Sequence, residues 1–163
     1  MTTVQLPNLD ARLTYLALQY HLARPGAELD PETRAPAAHG LAEVAQSLEP
    51  QLDKAVAAID LDERQHQRLV EAMAGAVNEL KTYPLLDPMP GGGRRTASPA
   101  FDATLRRLFP EVEAEPDEAS QLAGHMLQLR RRLERAAPEP AAVVESDARP
   151  RGAWWRFWGR KAG

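Results

Sequence analysis

The chain has 163 residues, contains no cysteine and carries a formal net charge of −3. This length is enough for one domain with a hydrophobic core, and the lack of cysteine excludes disulfides, thiolate metal sites and cysteine nucleophiles. The N-terminal residues do not resemble a signal peptide, and no apolar run approaches the ~18 residues that cross a bilayer, so we expect a cytoplasmic protein.

The first regular apolar pattern is helical. Leu9, Leu13, Leu16 and Tyr20 form one stripe at steps of three and four residues, which predicts a helix with Asn8 as a cap. Further apolar residues lie off this stripe, so the helix is apolar around much of its circumference. This predicts a central position in a bundle, or a second face that is used in a homodimer.

Two more stripes follow along the chain. The first runs from Leu41 to Ile59 straight through Pro50, which predicts one kinked helix or two nearly collinear helices that share a face. The second ends at Leu80 and predicts a helix whose N-terminus is capped by the acidic residues of 60–62.

Residues 84–99 contain four prolines and three glycines, which predicts a long loop. Consecutive glycine amides can form a concave nest for an anion, and neighbouring arginines add positive charge. The candidate anion-binding residues are Gly91, Gly92, Gly93, Arg94 and Arg95. However, the segment lacks the Gly-Lys-Ser/Thr ending of a phosphate-binding P-loop and follows no predicted strand, which favours a flexible surface loop.

Two helices are predicted after this loop. Ser98 and Pro99 form a cap followed by proline at the first helical position, and the helix that they begin ends at Pro110. The acidic run 111–118 then leads into a long helix with apolar residues at alternating steps of three and four. This heptad pattern predicts a bundle seam, with a short dimeric coiled coil as the alternative. Its members are Ala119, Leu122, Met126, Leu129, Leu133 and Ala136.

Taken together, the patterns predict an all-α protein, an antiparallel bundle of about five helices over residues 1–136. Residues 137–148 are rich in Ala, Pro and Glu and are predicted to be a flexible, disordered linker. Residues 149–163 form a basic, tryptophan-rich tail. A homodimer through the first or the last long helix is an alternative that the helix faces leave open.

Glu63 and His66 form a Glu-x-x-His pattern, which is half of the ligand set of a di-iron helical bundle. No second copy exists in the chain, so we expect an exposed cluster at a helix start, with no metal and no cofactor. The chain also lacks a nucleophile elbow, a zinc-protease motif and a dinucleotide fingerprint. We therefore expect a non-enzymatic protein, with an enzyme whose site is assembled from distant residues as the alternative.

All three tryptophans of the chain lie in the tail, which carries five basic residues and no acid. Residues 1–148 hold 15 basic and 23 acidic residues, so they carry a net charge of −8. If the tail becomes helical, its aromatic side chains cover one side and two arginines the opposite side. The candidate binding residues are Trp154, Trp155, Arg156, Phe157, Trp158, Arg160 and Lys161.

The tail is compatible with several partners. Tryptophan prefers the membrane interface and basic residues are attracted to acidic lipids, so our first hypothesis is an adaptor or peripheral protein at the inner membrane face. A groove on a partner protein is the second hypothesis, because Trp and Arg dominate interface hot spots. Nucleic acid is disfavoured by the acidic body. The tail can also fold back onto an apolar groove of its own bundle near residues 111–118.

Overall fold

The computed structural model describes residues 1–29, 39–96 and 98–136. Within them lie two strands and six α-helices, with short 3-10 turns at Glu49–Gln51 and Tyr83–Leu85. In chain order the elements are β1 (Thr2–Pro7), α1 (Asn8–Leu22), α2 (Ala42–Leu48), β2 (Val56–Leu61), α3 (Glu63–Thr82), α4 (Pro99–Leu108), α5 (Glu111–Ala114) and α6 (Glu118–Ala136). The predicted linker 137–148 and tail 149–163 lie outside the described residues.

The expectation of a mostly helical protein is confirmed, but the described chain is not all-α. β1 and β2 pair as an antiparallel two-stranded sheet in which Val4 lies opposite Ile59 and Leu6 opposite Ala57. Along β2, side chains at alternate positions are buried, as expected for a strand with one covered face. A two-stranded sheet is marginal alone, so this one depends on the helices that cover it.

The prediction of a helix from Leu41 through Ile59 is wrong in its second half. The helix α2 ends at Leu48, and Pro50 lies in a 3-10 turn instead of a kinked helix. The chain then turns, and residues 56–61 form β2. The spacing of Ile59 from Leu52 fits a helix only by coincidence. Ile59 is buried because every second residue of β2 lies on the covered face of the sheet.

Helix α1 follows β1 without a loop and is buried over most of its length. Leu13, Leu16 and Leu18 are all fully buried although they point in different directions from the helix axis. This matches the prediction of a helix that is apolar around much of its circumference. Asn8 does not cap it: the Asn8 side chain donates hydrogen bonds to the carbonyls of Leu52 and Lys54, at 2.7 and 2.9 Å.

Helix α3 begins with a capping box. The Asp62 carboxylate accepts from the Gln65 amide at 2.8 Å, and the Gln65 side chain accepts from the Asp62 amide at 3.0 Å. Burial alone would raise the pKa of Asp62, but hydrogen bonds from Gln65 and from His39 outweigh it, so this pKa is lowered. The cap predicted for residues 60–62 is therefore Asp62.

Helix α6 packs against α3 and α1 of its own chain. Its predicted heptad seam is buried at Ala119, Leu122, Met126, Leu129 and Leu133, whereas Ala136 is exposed. The seam therefore contributes to the core of a single chain. None of the described helices combines the length and the apolar character that crossing a bilayer requires.

Candidate functional site

The predicted tail residues Trp154, Trp155, Arg156, Phe157, Trp158, Arg160 and Lys161 lie outside the described residues. The described residues end with α6 at Ala136, and the segment 137–148 joins this helix to the tail in the sequence. Of this candidate site, the described residues therefore include only α6 and its two ends.

Charge is separated along α6. Five acidic residues and no basic residue precede or begin the helix at 111–118, and four arginines lie in its last two turns at 130–135. At about 1.5 Å of rise per residue, Glu118 and Arg135 are about 25 Å apart. Glu118 in the first turn and Arg135 in the last turn complement the helix dipole, which favours acids at the N-terminus and bases at the C-terminus. The described residues end at the basic end of α6.

Two of the arginines at the basic end form ion pairs. Arg132 contacts Asp10 of α1 at 2.7 Å, and Arg130 contacts Glu134 one turn along α6 at 2.8 Å. Arg131 and Arg135 are exposed and form no ion pair with another described residue.

A groove of about 240 Å³ opens at the acidic end of α6, between α1, the α4–α5 connection and α6. Its exposed apolar part is Leu9, which lies above the buried Phe109 and Leu122, and its rim carries the carboxylates of Glu111 and Glu118. Leu9 is 38% exposed, although most of α1 is buried. A groove therefore lies near residues 111–118 as expected, but most of the residues that line it are polar.

The glycine loop adopts the backbone conformation that its sequence suggests. Gly91, Gly92 and Gly93 have φ values of 91°, 96° and 78°, in the left-handed region that favours glycine. The amide of Gly92 donates to the Met89 carbonyl at 3.1 Å. Apart from an isolated bridge between Pro88 and Arg94, the described residues of the loop from Leu86 to Thr96 contain no helix or strand, as predicted.

The carboxylate that this loop binds is the protein's own. Asp102 of α4 is only 6% exposed, and its Oδ1 atom accepts from the Arg94 amide at 3.1 Å and from the Tyr83 hydroxyl at 2.9 Å. Its Oδ2 atom accepts from Nε of Arg106 at 3.1 Å. A buried carboxylate requires such donors, since an unpaired one would cost several kcal/mol. The Asp102 carboxylate of α4 therefore binds the loop to this helix.

The two arginines of the loop differ in their surroundings. The Arg94 guanidinium donates to the carbonyls of Pro84 and Leu86 and lies 5.8 Å from the centre of the Tyr83 ring. Arg95 lies on an open cleft of about 300 Å³, which it shares with Thr96 and Arg106. Arg94 thus holds the loop together, and Arg95 remains open to solvent.

Tyr83 and Asp102 were not singled out from the sequence. Burial, and then the hydrogen bond to Asp102 and the charge of that carboxylate, raise the pKa of the Tyr83 hydroxyl well above its ordinary value of 10.0. Tyr83 therefore stays protonated and acts as a hydrogen-bond donor. The only signal of this cluster in the sequence is the spacing of Asp102 and Arg106, which places opposite charges one turn apart on a helix.

The candidate metal residues Glu63 and His66 differ in solvent exposure. Glu63 is exposed in the first turn of α3, whereas His66 is 7% exposed and lies in the core. The expectation of an exposed cluster is therefore wrong for His66, which falls three residues before Leu69 on the buried face. Among the described residues, no three His, Cys, Asp or Glu side chains are grouped as a metal site would require.

A comparison with known proteins finds no matching family model, no matching curated protein and no matching solved structure.

Proposed function

We propose that the protein is a cytoplasmic, non-enzymatic adaptor or peripheral membrane protein whose C-terminal tail binds an anionic membrane surface. The body, which we take to be an antiparallel helical bundle built around α1, would serve as its carrier. The observation that carries the proposal is the placement of charge: a tail with five basic residues and three tryptophans follows the basic end of an otherwise acidic body, and the segment 137–148 separates the two.

The charge separation along α6 supports this geometry. A body with net negative charge is repelled by acidic lipid, but screening limits that repulsion to about 8 Å at physiological salt. If the basic end faces the membrane, Arg131 and Arg135 lie near the lipid headgroups, and the acidic segment 111–118 lies about 25 Å further away along the helix. The tail and the body then contribute to binding in the same orientation.

The expected affinity is low for a single tail. Each basic residue near acidic lipid contributes about 1 kcal/mol at most, and the interfacial preference of tryptophan adds to this. Ordering the tail opposes binding, because a short helix is marginal in water and nucleating it costs more than a few hydrogen bonds return. Binding is therefore reversible, and a dimer with two tails would bind more tightly by avidity.

Vesicle co-sedimentation tests the proposal. The full-length protein should sediment with vesicles that contain acidic lipid and remain in the supernatant with neutral ones. Combined replacement of Trp154, Trp155 and Trp158 by Ala should abolish binding, as should termination of the chain after Ala148. A variant with Arg64→Gln, which removes one exposed positive charge from α3, is the control.

A second pair of variants tests the orientation of the body. Arg131→Gln combined with Arg135→Gln should weaken vesicle binding several-fold, whereas Arg64→Gln should leave it unchanged. Equal sedimentation of the full-length protein and the chain that ends at Ala148 would overturn the proposed function.

A further inference from the structure

We infer that, without a membrane, the tail 149–163 docks on the groove at the acidic end of α6 in its own chain, with one tryptophan side chain packed against Leu9. This inference goes beyond the proposed function, because the docked state needs no lipid. It assigns an occupant to a surface that the described residues leave open.

The groove has the size and composition to hold a single aromatic side chain. Its volume of about 240 Å³ lies below the ~300–1,000 Å³ of typical small-molecule sites. Leu9 provides the exposed apolar surface above the buried Phe109 and Leu122, and Gln121 and His125 add polar groups at the edge. One exposed apolar side chain with polar neighbours suits an indole, which combines a large apolar surface with one N–H donor.

The charges of the groove and the tail are complementary. Segment 111–118 contains five acidic residues and no basic one, and tail 149–163 contains five basic residues and no acidic one. Within this acidic segment, Glu111 and Glu118 lie directly on the groove and neither forms an ion pair with another described residue. Complementary potentials of this kind fix the orientation of a docked segment and exclude competitors of the wrong sign.

One hydrogen-bond donor of a residue that lines the groove lacks an acceptor within the described part of the chain. The Nε atom of Arg12 is buried and has no hydrogen-bond partner among the described residues. The other side of this guanidinium is engaged, because Nη1 donates to the Leu108 carbonyl at 3.4 Å. A docked peptide brings backbone carbonyls, which are the acceptors that such a donor requires.

The chain length allows the tail to reach the groove. Leu122 lies about 21 Å back along α6 from Ala136, at about 1.5 Å of rise per residue. Residues 137–148 span up to ~40 Å when extended, so the tail can return along the helix. A tether of this length gives an effective concentration of about 1 mM, so a tail that binds the groove with a dissociation constant of about 0.1 mM is docked in about nine molecules of ten.

Tryptophan fluorescence tests the inference directly, because every tryptophan of the protein lies in the tail. In the full-length protein without lipid, we expect blue-shifted emission and partial protection from acrylamide. Glu111→Lys combined with Glu118→Lys should shift the emission to the red and raise the quenching constant at least twofold. Glu43→Lys combined with Glu71→Lys, which changes two exposed acids elsewhere, should have no effect.

Three results would overturn the inference: fully exposed emission in the unaltered protein, an equal effect of both double variants, or emission that changes on dilution. The last result would assign the groove to the tail of a second copy. Circular dichroism establishes that the variants are folded.

Vesicle binding separates this inference from the proposed function. If the tail must leave the groove to bind lipid, Glu111→Lys with Glu118→Lys should raise vesicle affinity about tenfold, whereas the control pair should change it much less. Exposed tryptophans in a protein that still binds vesicles would remove the docked state alone. Protected tryptophans in a protein that never binds vesicles would remove the membrane function alone.

Discussion

The hydroxyl of Tyr83 donates a 2.9 Å hydrogen bond to Oδ1 of Asp102, and this contact joins the end of α3 to the first turn of α4. Both side chains are buried, at 1% and 6% exposure. The glycine loop lies between them in sequence and donates to the same carboxylate through the Arg94 amide. Asp102 is therefore the point at which two helices and their connection meet.

Tyr83→Phe removes one of the three donors to this carboxylate and leaves the packing of the ring nearly unchanged. Because hydrogen bonds to charged groups contribute more than neutral ones, we expect a loss of about 1.5–3 kcal/mol in the free energy of unfolding. Urea denaturation followed by circular dichroism measures it. Tyr20→Phe is the matched control, since the Tyr20 ring packs edge to face on Phe101 without depending on Asp102. A similar loss in both variants would contradict the assigned role.

The raised pKa of Tyr83 predicts a loss of stability at alkaline pH. In the unfolded chain a tyrosine releases its proton near the ordinary pKa of 10.0, while Tyr83 in the folded protein keeps it. The unfolded state then binds fewer protons than the folded state, so stability falls as the pH rises above about 10, by at most about 1.4 kcal/mol per pH unit from this group. Below that pH its contribution is fully present. Urea midpoints measured from pH 8 to 11 should decline less steeply for Tyr83→Phe than for the unaltered protein.

Gly75 and Gly124 offer an opposed pair of substitutions in two long helices. A Cβ atom at Gly75 would lie 2.3 Å from the Tyr20 ring, whereas a Cβ atom at Gly124 would have no neighbour within 4 Å. Alanine at a helix interior gains about 1 kcal/mol over glycine. We expect Gly124→Ala to stabilise the protein by up to that amount, and Gly75→Ala to destabilise it, because overpacking typically costs about 1–3 kcal/mol. Thermal unfolding of both variants measures the difference in sign.

A second pair tests the glycine loop. Gly91 and Gly93 both have positive φ, but only at Gly93 would a Cβ atom meet the Asp102 carboxylate, at 2.3 Å from Oδ2. Gly91→Ala should therefore show only the backbone strain of about 1–2 kcal/mol. Gly93→Ala should lose more, because the carboxylate must also move away from its donors. If the two variants unfold at the same denaturant concentration, the loop is not fastened to Asp102 in the manner described.

The helical part of the fold was readable from the sequence because its signals are local. The steps of three and four residues predicted α1, α3 and α6, and Ser98 caps α4 as expected by accepting from the Phe101 amide at 3.3 Å. Such signals depend on residues within one or two turns of each other, so a single sequence contains them.

The sheet and the contacts of Asp102 could not be predicted from the sequence, and the reason is the same for both. β1 is six residues long and is a strand because it pairs with β2, in a register that places Thr2 opposite Leu61. Likewise, Asp102 acquires its role from Tyr83 and Arg94, which lie on other elements. The spacing of apolar residues within one segment carries no information on which distant segment it pairs with. In β2 the spacing was also misleading, because Ile59 lies at a distance from Leu52 that fits a helix as well as a strand.

The register of the sheet also bears on how the chain folds. Pro7 lies opposite Val56, so the first strand has no partner until a segment about fifty residues further along the chain is in place. Closing so long a loop costs entropy before any pairing offsets it, and proteins dominated by distant contacts fold more slowly than helical ones. We therefore expect the pairing of these two six-residue strands to form more slowly than the individual helices, which hold most of the described residues and whose own hydrogen bonds are local.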